Sequence, residues 1–298
     1  MDGAFRMPPS GRLYGIHYRD GADGTSAGLE VTNCRADPLT GAQRPTAVYV
    51  RGDSTTDSCE VTFTDCYVHD FGKNGMTVIE NSFVEILGCR VVGAGPVGVP
   101  LPAQNGIQVS LAGNGVLRGN IVSEITYTGP TYTATGILPY NASSGLIIED
   151  NRVIRCQTGI YVIQSPAASE TCFVRRNQVS EGVNGILSYQ ATGTSIIDNV
   201  IANQEDYTYE DVATNTWSGN NYGDYSGSGN YTVDGPAGVM DTTPRGGHDG
   251  FGAANAIAIS ATPKDLVVAD LDGVGEASGT VQRAFVNDGS VFVSVDGR

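Results

Sequence analysis

The chain has 298 residues, a formal net charge of −15 and only two lysines. No segment is basic enough to favour nucleic-acid binding, and no run of 18 apolar residues predicts a membrane span. The 40 glycines, and 14 tyrosines against 8 phenylalanines, favour a protein of strands and turns over a helical protein.

A four-residue pattern recurs seven times in the first 190 residues: a small residue, an apolar residue, a variable residue and usually a second apolar one. The copies begin at Gly15, Ala47, Gly75, Gly106, Gly136, Gly159 and Gly185. Their starts lie 32, 28, 31, 30, 23 and 26 residues apart. A strand that returns at such intervals, with irregular insertions between the copies, is typical of a solenoid.

A second element follows each copy: a short apolar run that ends in Asn or Cys. These residues are Cys34, Cys66, Cys89, Asn120, Asn151, Asn177 and Asn199. Another brief apolar stretch comes next, so each period reads as three short strands separated by turns. We predict an all-β fold, a right-handed parallel β-helix solenoid of about seven coils stacked about 4.8 Å apart. We expect the recurring Asn to adopt a left-handed bend and to hydrogen-bond from coil to coil.

The six cysteines form no CxxC pair. Three of them take the place of the recurring Asn, and the other three fall in or beside strands. We expect most of them to be free and buried, although adjacent coils could bring two together as a disulfide.

Three regions follow from the repeat. The β-helix is predicted over residues 1–203, an extended closing segment over 204–250 and a small β-rich C-terminal module or cap over 251–298. The closing segment contains almost no aliphatic residues, and Asn287-Asp288-Gly289 predicts a hairpin in the last region. An exposed coil end is an open sheet edge, so some segment has to cover it.

The outward face of the first strand of each coil contains the candidate catalytic residues. If the apolar residue of each copy points inward, the residue after it points outward. The two outward columns read His17, Tyr49, Thr77, Gln108, Leu138, Tyr161, Leu187 and Arg19, Arg51, Ile79, Ser110, Tyr140, Ile163, Tyr189. The first coils therefore present His, Tyr and Arg, and the later coils present apolar and aromatic side chains.

Proton abstraction beside a carboxylate needs a base and a neighbouring cation. His17, Tyr49, Arg51 and Lys73 supply these types on neighbouring coils, and they are our candidate catalytic residues. The alternative is a solvated polar face in which the arginines pair with nearby aspartates. Glycoside hydrolysis by two carboxylates is a second chemistry, but the spacing of the available acids fixes no such pair.

The remaining candidates bind substrate or metal. The predicted substrate-binding residues are Arg19, His69, Gln108, Tyr127, Tyr132 and Tyr140. The insertions at 35–46, 93–104 and 125–134 would project beside the first strand and form a groove. Asp270 and Asp272 space oxygens like part of a calcium loop, which makes Ca²⁺ the candidate cofactor, although a turn between strands explains them equally.

Three segments carry a resemblance to a known family: Asn74-Gly75-Met76, Gln104–Val109 and Ile148–Val153. In these segments the chain resembles the right-handed parallel β-helix superfamily, which includes pectate-lyase-like and NosD-like proteins. Asn221–Gly227 resembles the segment that closes many NosD-like helices. The resemblance implies the fold, and it implies no catalytic residues, because the Asp cluster of polygalacturonases and the Asp-Pro-His-Glu signature of alginate epimerases are missing.

Two classes of function remain open at this stage. The first is an extracellular or cell-surface protein that binds or modifies a polysaccharide, in its sharpest form a lyase or epimerase acting on a uronate polymer. The second is a non-enzymatic structural or adhesive module of a cell surface, virion or tail fibre, in which the apolar later coils would support a homo-oligomer such as a trimer.

Overall fold

The computed structural model describes residues 14–19, 21–32, 34, 45–52, 58–130, 133–142, 145–164, 172–202, 204–212 and 214–245. Beyond them it describes the backbone of four strands, β27 (Val268–Ala269), β28 (Glu276–Ala277), β29 (Val281–Asn287) and β30 (Ser290–Val295). These pair as two antiparallel ribbons, β27 with β28 and β29 with β30.

Three parallel sheets of eight strands each form the body of the protein. Sheet 1 contains β1 (Tyr14–Arg19), β4 (Thr46–Arg51), β7 (Asn74–Ile79), β10 (Asn105–Ser110), β13 (Thr135–Tyr140), β16 (Thr158–Ile163), β19 (Asn184–Tyr189) and β22 (Asp206–Glu210). Sheet 2 contains β2 (Gly24–Ala27), β5 (Glu60–Thr64), β8 (Phe83–Leu87), β11 (Asn114–Arg118), β14 (Leu146–Glu149), β17 (Cys172–Arg175), β20 (Ser195–Ile197) and β23 (Thr216–Ser218). Sheet 3 contains β3 (Glu30–Val31), β6 (Tyr67–His69), β9 (Arg90–Val97), β12 (Ile121–Tyr127), β15 (Arg152–Ile154), β18 (Gln178–Ser180), β21 (Val200–Ala202) and β24 (Asn221–Tyr222).

Each coil contributes one strand to each sheet, which confirms the predicted right-handed parallel β-helix. The repeated apolar residues stack in register, with Ile107 opposite Met76 on one side and Ile137 on the other. They lie in one continuous core of buried Val, Ile, Leu and Phe. A short antiparallel pair, β25 (Tyr231–Thr232) and β26 (Met240–Asp241), follows the last coil.

The helix has eight coils, and the eighth lies in the range that the sequence assigned to an extended closing segment. β22, β23 and β24 continue the three sheets. The inward positions of this coil carry Thr208, Glu210, Trp217 and Tyr222, all buried, where earlier coils carry mostly aliphatic residues. The apolar period therefore ends one coil before the fold does.

The small residue at the start of each repeat has a steric cause. A Cβ atom at Gly106 would lie 2.5 Å from Cγ1 of Val122 and 2.6 Å from the carbonyl oxygen of Gly136. At Gly136 it would lie 2.5 Å from Cγ1 of Val153. In coils 3–6 the third strand packs a valine against this point, and in coil 7 it packs Ile201 there. The first strand of these coils therefore has room only for a small residue.

The recurring Asn residues form a buried hydrogen-bonded ladder, as predicted. Nδ2 of Asn120 donates to Oδ1 of Asn151 at 2.9 Å and to the carbonyl of Ile86 at 2.8 Å. Oδ1 of Asn151 also accepts from the backbone N–H of Asn120 at 2.9 Å. The same arrangement continues through Asn177, Asn199 and Asn220. The ladder thus satisfies backbone groups that the turn removes from the sheets.

The left-handed bend lies one residue earlier than the sequence predicted. Gly119, Asp150 and Arg176 have φ values of 68°, 58° and 54°, and each precedes a ladder Asn. The ladder Asn must point its side chain into the core, whereas Asp150 and Arg176 point theirs toward solvent. The turn and the ladder are therefore assigned to adjacent residues.

All six cysteines are free, as expected. Cys66 and Cys89 continue the ladder: the backbone N–H of Cys66 lies 3.4 Å from Sγ of Cys89, and that thiol donates to the carbonyl of Phe63 at 3.6 Å. Burial raises the pKa of the Cys89 thiol to about 12. A thiol held in its protonated form is a poor nucleophile, so this cysteine has a structural role.

Glu210 is a fully buried carboxyl group in coil 8. It accepts hydrogen bonds from Nδ2 of Asn215 at 2.6 Å and Nε1 of Trp217 at 3.0 Å. Burial raises the pKa of Glu210 by more than these hydrogen bonds lower it, and the negative charge of Asp211 adds to the increase. Folding therefore increases the affinity of this side chain for a proton.

This buried acid predicts a pH-dependent stability. Because the pKa of Glu210 is higher in the folded state, its contribution to stability is fully present below the unfolded pKa of about 4.3 and falls as pH rises through the folded value. Glu210→Gln removes this titration, so wild type should lose stability relative to the variant as pH rises through that window. Urea unfolding at a series of pH values tests this, and two parallel pH profiles would contradict it.

Candidate functional site

The outer face of sheet 1 carries three outward columns instead of the two that the sequence predicted. The first residue of each strand also faces outward: Nδ2 of Asn74 donates to Oγ1 of Thr77 at 2.8 Å, and Nδ2 of Asn105 donates to Oε1 of Gln108 at 2.9 Å. This column reads Tyr14, Thr46, Asn74, Asn105, Thr135, Thr158, Asn184 and Asp206. The sequence feature that could have revealed this third column is the Asn or Thr that precedes most of the small residues of the repeat.

Coils 1 and 2 bring together an aromatic cluster. His17 lies opposite Tyr49 in the register, and their ring centroids are 5.2 Å apart. Tyr14 contacts both rings, stacking on Tyr49 at 4.3 Å. Tyr49 is only 4% exposed, whereas His17 is exposed. Of the two predicted bases, His17 is therefore the one that solvent can reach.

The predicted cations divide between the two ends of the sheet 1 strands. Arg19 and Arg51 are register neighbours at the end of their strands, and Nε of Arg51 pairs with Oε2 of Glu80 at 2.7 Å. Lys73 precedes the start of β7, where Nζ donates to the carbonyl of Ala103 at 2.5 Å. Arg51 is aligned with Ile79 at the far end of β7. Six residues of strand separate the two positions by roughly 20 Å.

His69 lies on a different face from the other candidates. It ends β6 in sheet 3, where its ring stacks on Tyr67 and its Nε2 contacts Oε1 of Glu30 at 2.8 Å. Thr32 lies 3.3 Å from its Nδ1. Because sheets 1 and 3 face different directions, His69 does not share a site with His17.

The other four predicted substrate-binding residues divide into three groups. Gln108 and Tyr140 lie on the outer face of sheet 1; Nε2 of Gln108 donates to Oγ of Ser110, and Tyr140 is 40% exposed. Tyr127 differs from the prediction, because it ends β12 with its side chain packed into the core. Tyr132 lies outside the described residues.

The predicted calcium ligands, Asp270 and Asp272, also lie outside the described residues, so the Ca²⁺ assignment stays a prediction. Within the ranges given above, no group of three or more His, Cys, Asp or Glu side chains is arranged to hold a metal ion. In that same part of the chain, no helix is long and apolar enough to cross a membrane.

Four tyrosines line the outer face of sheet 1 over coils 5–8. Tyr140 and Tyr189 occupy one outward column, and Tyr161 and Tyr209 occupy the neighbouring one. Tyr140 and Tyr189 are 40% and 38% exposed. Partial burial raises the pKa of Tyr161, and Tyr189, Asp211 and Tyr209 add to that increase, so these groups lie close to one another. We call these four residues the tyrosine stripe.

The surroundings of the tyrosine stripe are neutral or acidic. Ile163 and Leu187 lie between the rings in the same columns, Leu138 precedes Tyr161, and Thr135, Thr158 and Asn184 occupy the first column. Asp206 and Asp211 lie at either end of β22. Among the described outward positions of sheet 1 in these four coils there is no Lys or Arg. The sequence placed three of these tyrosines in outward columns but selected only Tyr140; Tyr209 was missed because coil 8 was not recognised.

The outer face of sheet 2 carries a second exposed feature, an apolar ladder beside a charged one. Val116, Ile147 and Phe173 are register neighbours. In the next column, Glu149 is only 2% exposed and accepts from Nε of Arg118 and Nε of Arg175, both at 2.6 Å. These arginines lower the pKa of Glu149 against the opposing effect of its burial.

The three eight-stranded parallel sheets and the Asn ladder between their coils define a parallel β-helix protein. Its candidate site is the solvent-facing side of sheet 1. A family model for the right-handed β-helix region matches residues 14–201, and the chain belongs to this family. No curated protein and no solved structure matches the chain.

Proposed function

We propose that the protein binds a polysaccharide chain along the outer face of sheet 1, at the tyrosine stripe, on a cell surface or outside the cell. The observation that carries the proposal is the stripe itself: four tyrosines in two neighbouring columns over four consecutive coils. This moves the site from coils 1–3, where the sequence analysis placed it, to coils 5–8.

The chemistry of the stripe suits sugar rings. A pyranose ring has an apolar face of C–H groups, and the electron-rich face of a tyrosine attracts such groups while its hydroxyl hydrogen-bonds at the edge. Partly exposed Asn184 adds a neutral amide in the column beside the rings, in which Thr135 and Thr158 are buried. A flat sheet that combines rings with short polar side chains fits an extended chain better than a compact ligand.

Binding is better supported than elimination. A lyase or epimerase step on a uronate remains the enzymatic version of the proposal, carried by His17 beside Tyr49 with Arg19 and Arg51 in the next column. Arg51, however, already pairs with Glu80, and Lys73 lies beside the opposite end of the neighbouring strand. Assaying uronate polymers for the ultraviolet absorbance of the unsaturated product separates the two versions.

The test of the proposal is a binding screen of neutral and acidic polysaccharides by isothermal titration calorimetry. Tyr189→Ala should weaken binding about fivefold, because losing one aromatic contact costs about 1 kcal/mol and every 1.4 kcal/mol is a factor of ten. Tyr67→Ala is the matched control, since Tyr67 lies on the outer face of sheet 3. Absence of binding across the panel, or equal losses in both variants, would overturn the proposal.

The second candidate function is a structural or adhesive module that assembles with copies of itself. The apolar ladder of Val116, Ile147 and Phe173 favours it, because partly exposed aliphatic and aromatic side chains in a row are typical of association surfaces. Light scattering of wild type and Phe173→Glu tests this function: a stable trimer that dissociates in the variant supports it, and a monomeric wild type contradicts it.

A further inference from the structure

We infer that the ligand of the tyrosine stripe is an uncharged, extended, β-1,4-linked polysaccharide that lies along the axis of the β-helix. This inference rests on the proposed function and deepens it, since it names the linkage, the charge and the direction of the chain. Two independent observations carry it: the spacing of the tyrosines and the charge around them.

The tyrosines repeat every second coil within each column. Tyr140 belongs to coil 5 and Tyr189 to coil 7, with Ile163 between them. Tyr161 belongs to coil 6 and Tyr209 to coil 8, with Leu187 between them. Because coils stack about 4.8 Å apart, equivalent rings recur about every 9.6 Å along the axis. The two columns alternate, so each of coils 5–8 carries one tyrosine ring, and the ring changes from one column to the other at each successive coil.

An extended β-1,4-linked chain has the same symmetry. Each sugar in such a chain is rotated by about half a turn relative to the one before it. The same edge of the sugar therefore faces the same side at every second residue, and the length of two sugars is comparable to the height of two coils. A ring stacked at each coil would therefore meet a sugar in alternating orientation. Glucose chains with α-1,4 or β-1,3 linkages coil, so they diverge from a straight row of tyrosine rings after a few sugars.

The charge of the stripe selects against acidic chains. Asp211 lies close enough to Tyr161 to raise its pKa, and Asp206 takes the outward position at the start of the same strand. The described outward residues of coils 5–8 in sheet 1 include no Lys or Arg to offset these carboxylates. A uronate polymer would bring further negative charge to this surface of a protein with net charge −15.

The experiment measures the affinity of neutral β-1,4-linked gluco-oligosaccharides of increasing length by calorimetry. Affinity should rise with each added sugar until the chain spans coils 5–8, about 14 Å from the first to the last coil, and then level off. Tyr161→Ala and Tyr189→Ala should each weaken binding about fivefold. Tyr161→Phe and Tyr189→Phe retain the ring and should bind nearly as tightly as wild type. Tyr67→Ala should bind like wild type.

Charge and linkage are tested by two further ligands. A β-1,3-linked glucan oligosaccharide of equal length, and an acidic chain such as an oligomannuronate, should each bind at least tenfold more weakly. Asp211→Asn should reduce the difference in affinity between the neutral chain and the acidic chain. If an acidic or differently linked chain binds more tightly and still depends on Tyr161 and Tyr189, the proposed function stands and this inference falls. If no chain depends on these tyrosines, both fall.

Discussion

Asn151→Ala is expected to destabilise the folded protein by about 2–6 kcal/mol, because it leaves two buried backbone groups without partners at about 1–3 kcal/mol each. The backbone N–H of Asn120 loses Oδ1 of Asn151, and the carbonyl of Leu117 loses Nδ2 at 2.8 Å. The side-chain bond to Asn177 is lost as well. Urea unfolding monitored by circular dichroism measures the change in the free energy of unfolding.

The control for this substitution is Asn230→Ala, at an exposed residue outside the ladder. It should change the free energy of unfolding by less than about 0.5 kcal/mol, as is usual for surface positions. Equal effects of the two substitutions would mean that the ladder does not contribute to stability beyond an ordinary side chain.

Asp241→Asn is expected to cost about 2–6 kcal/mol, although it changes only one atom in a buried carboxyl group. Oδ2 of Asp241 accepts from the backbone N–H and Nδ2 of Asn220 and from the hydroxyl of Tyr222, at 3.0, 3.1 and 3.1 Å. Oδ1 accepts from the backbone N–H groups of Gly219 and Thr243. An amide nitrogen at either position would face at least two N–H donors.

Asp241 closes the Asn ladder, and its chemistry matches that position. An interior Asn both accepts from the preceding coil and donates to the next one, whereas the last rung only has to accept. The exposed Asp234→Asn is the control and should leave the free energy of unfolding nearly unchanged. A stable Asp241→Asn protein would contradict the role of Asp241 as an acceptor-only end of the ladder.

The site could be predicted only in part. The outward columns followed from the repeat, because equivalent residues of successive coils stack directly on one another. The distance between Lys73 and Arg51 did not follow, since residues that are adjacent in the repeat can lie at opposite ends of a strand. Nor did the position of His69, because the length of each turn decides to which of the three sheets a residue belongs.

The sequence by itself determined the β-helix, the small residue in each first strand and the ladder of Asn and Cys, because these features repeat and each is required by contacts between adjacent coils. Only the tertiary structure decided that an eighth coil exists and that Tyr209 completes a row of rings with Tyr140, Tyr161 and Tyr189. In that coil a buried Trp and Tyr replace Ile196 and Ile201, and a buried Glu follows Ser188. Hydrogen bonds among Glu210, Trp217 and Asn215 make polar groups acceptable in the core, and no apolar period can reveal such a coil.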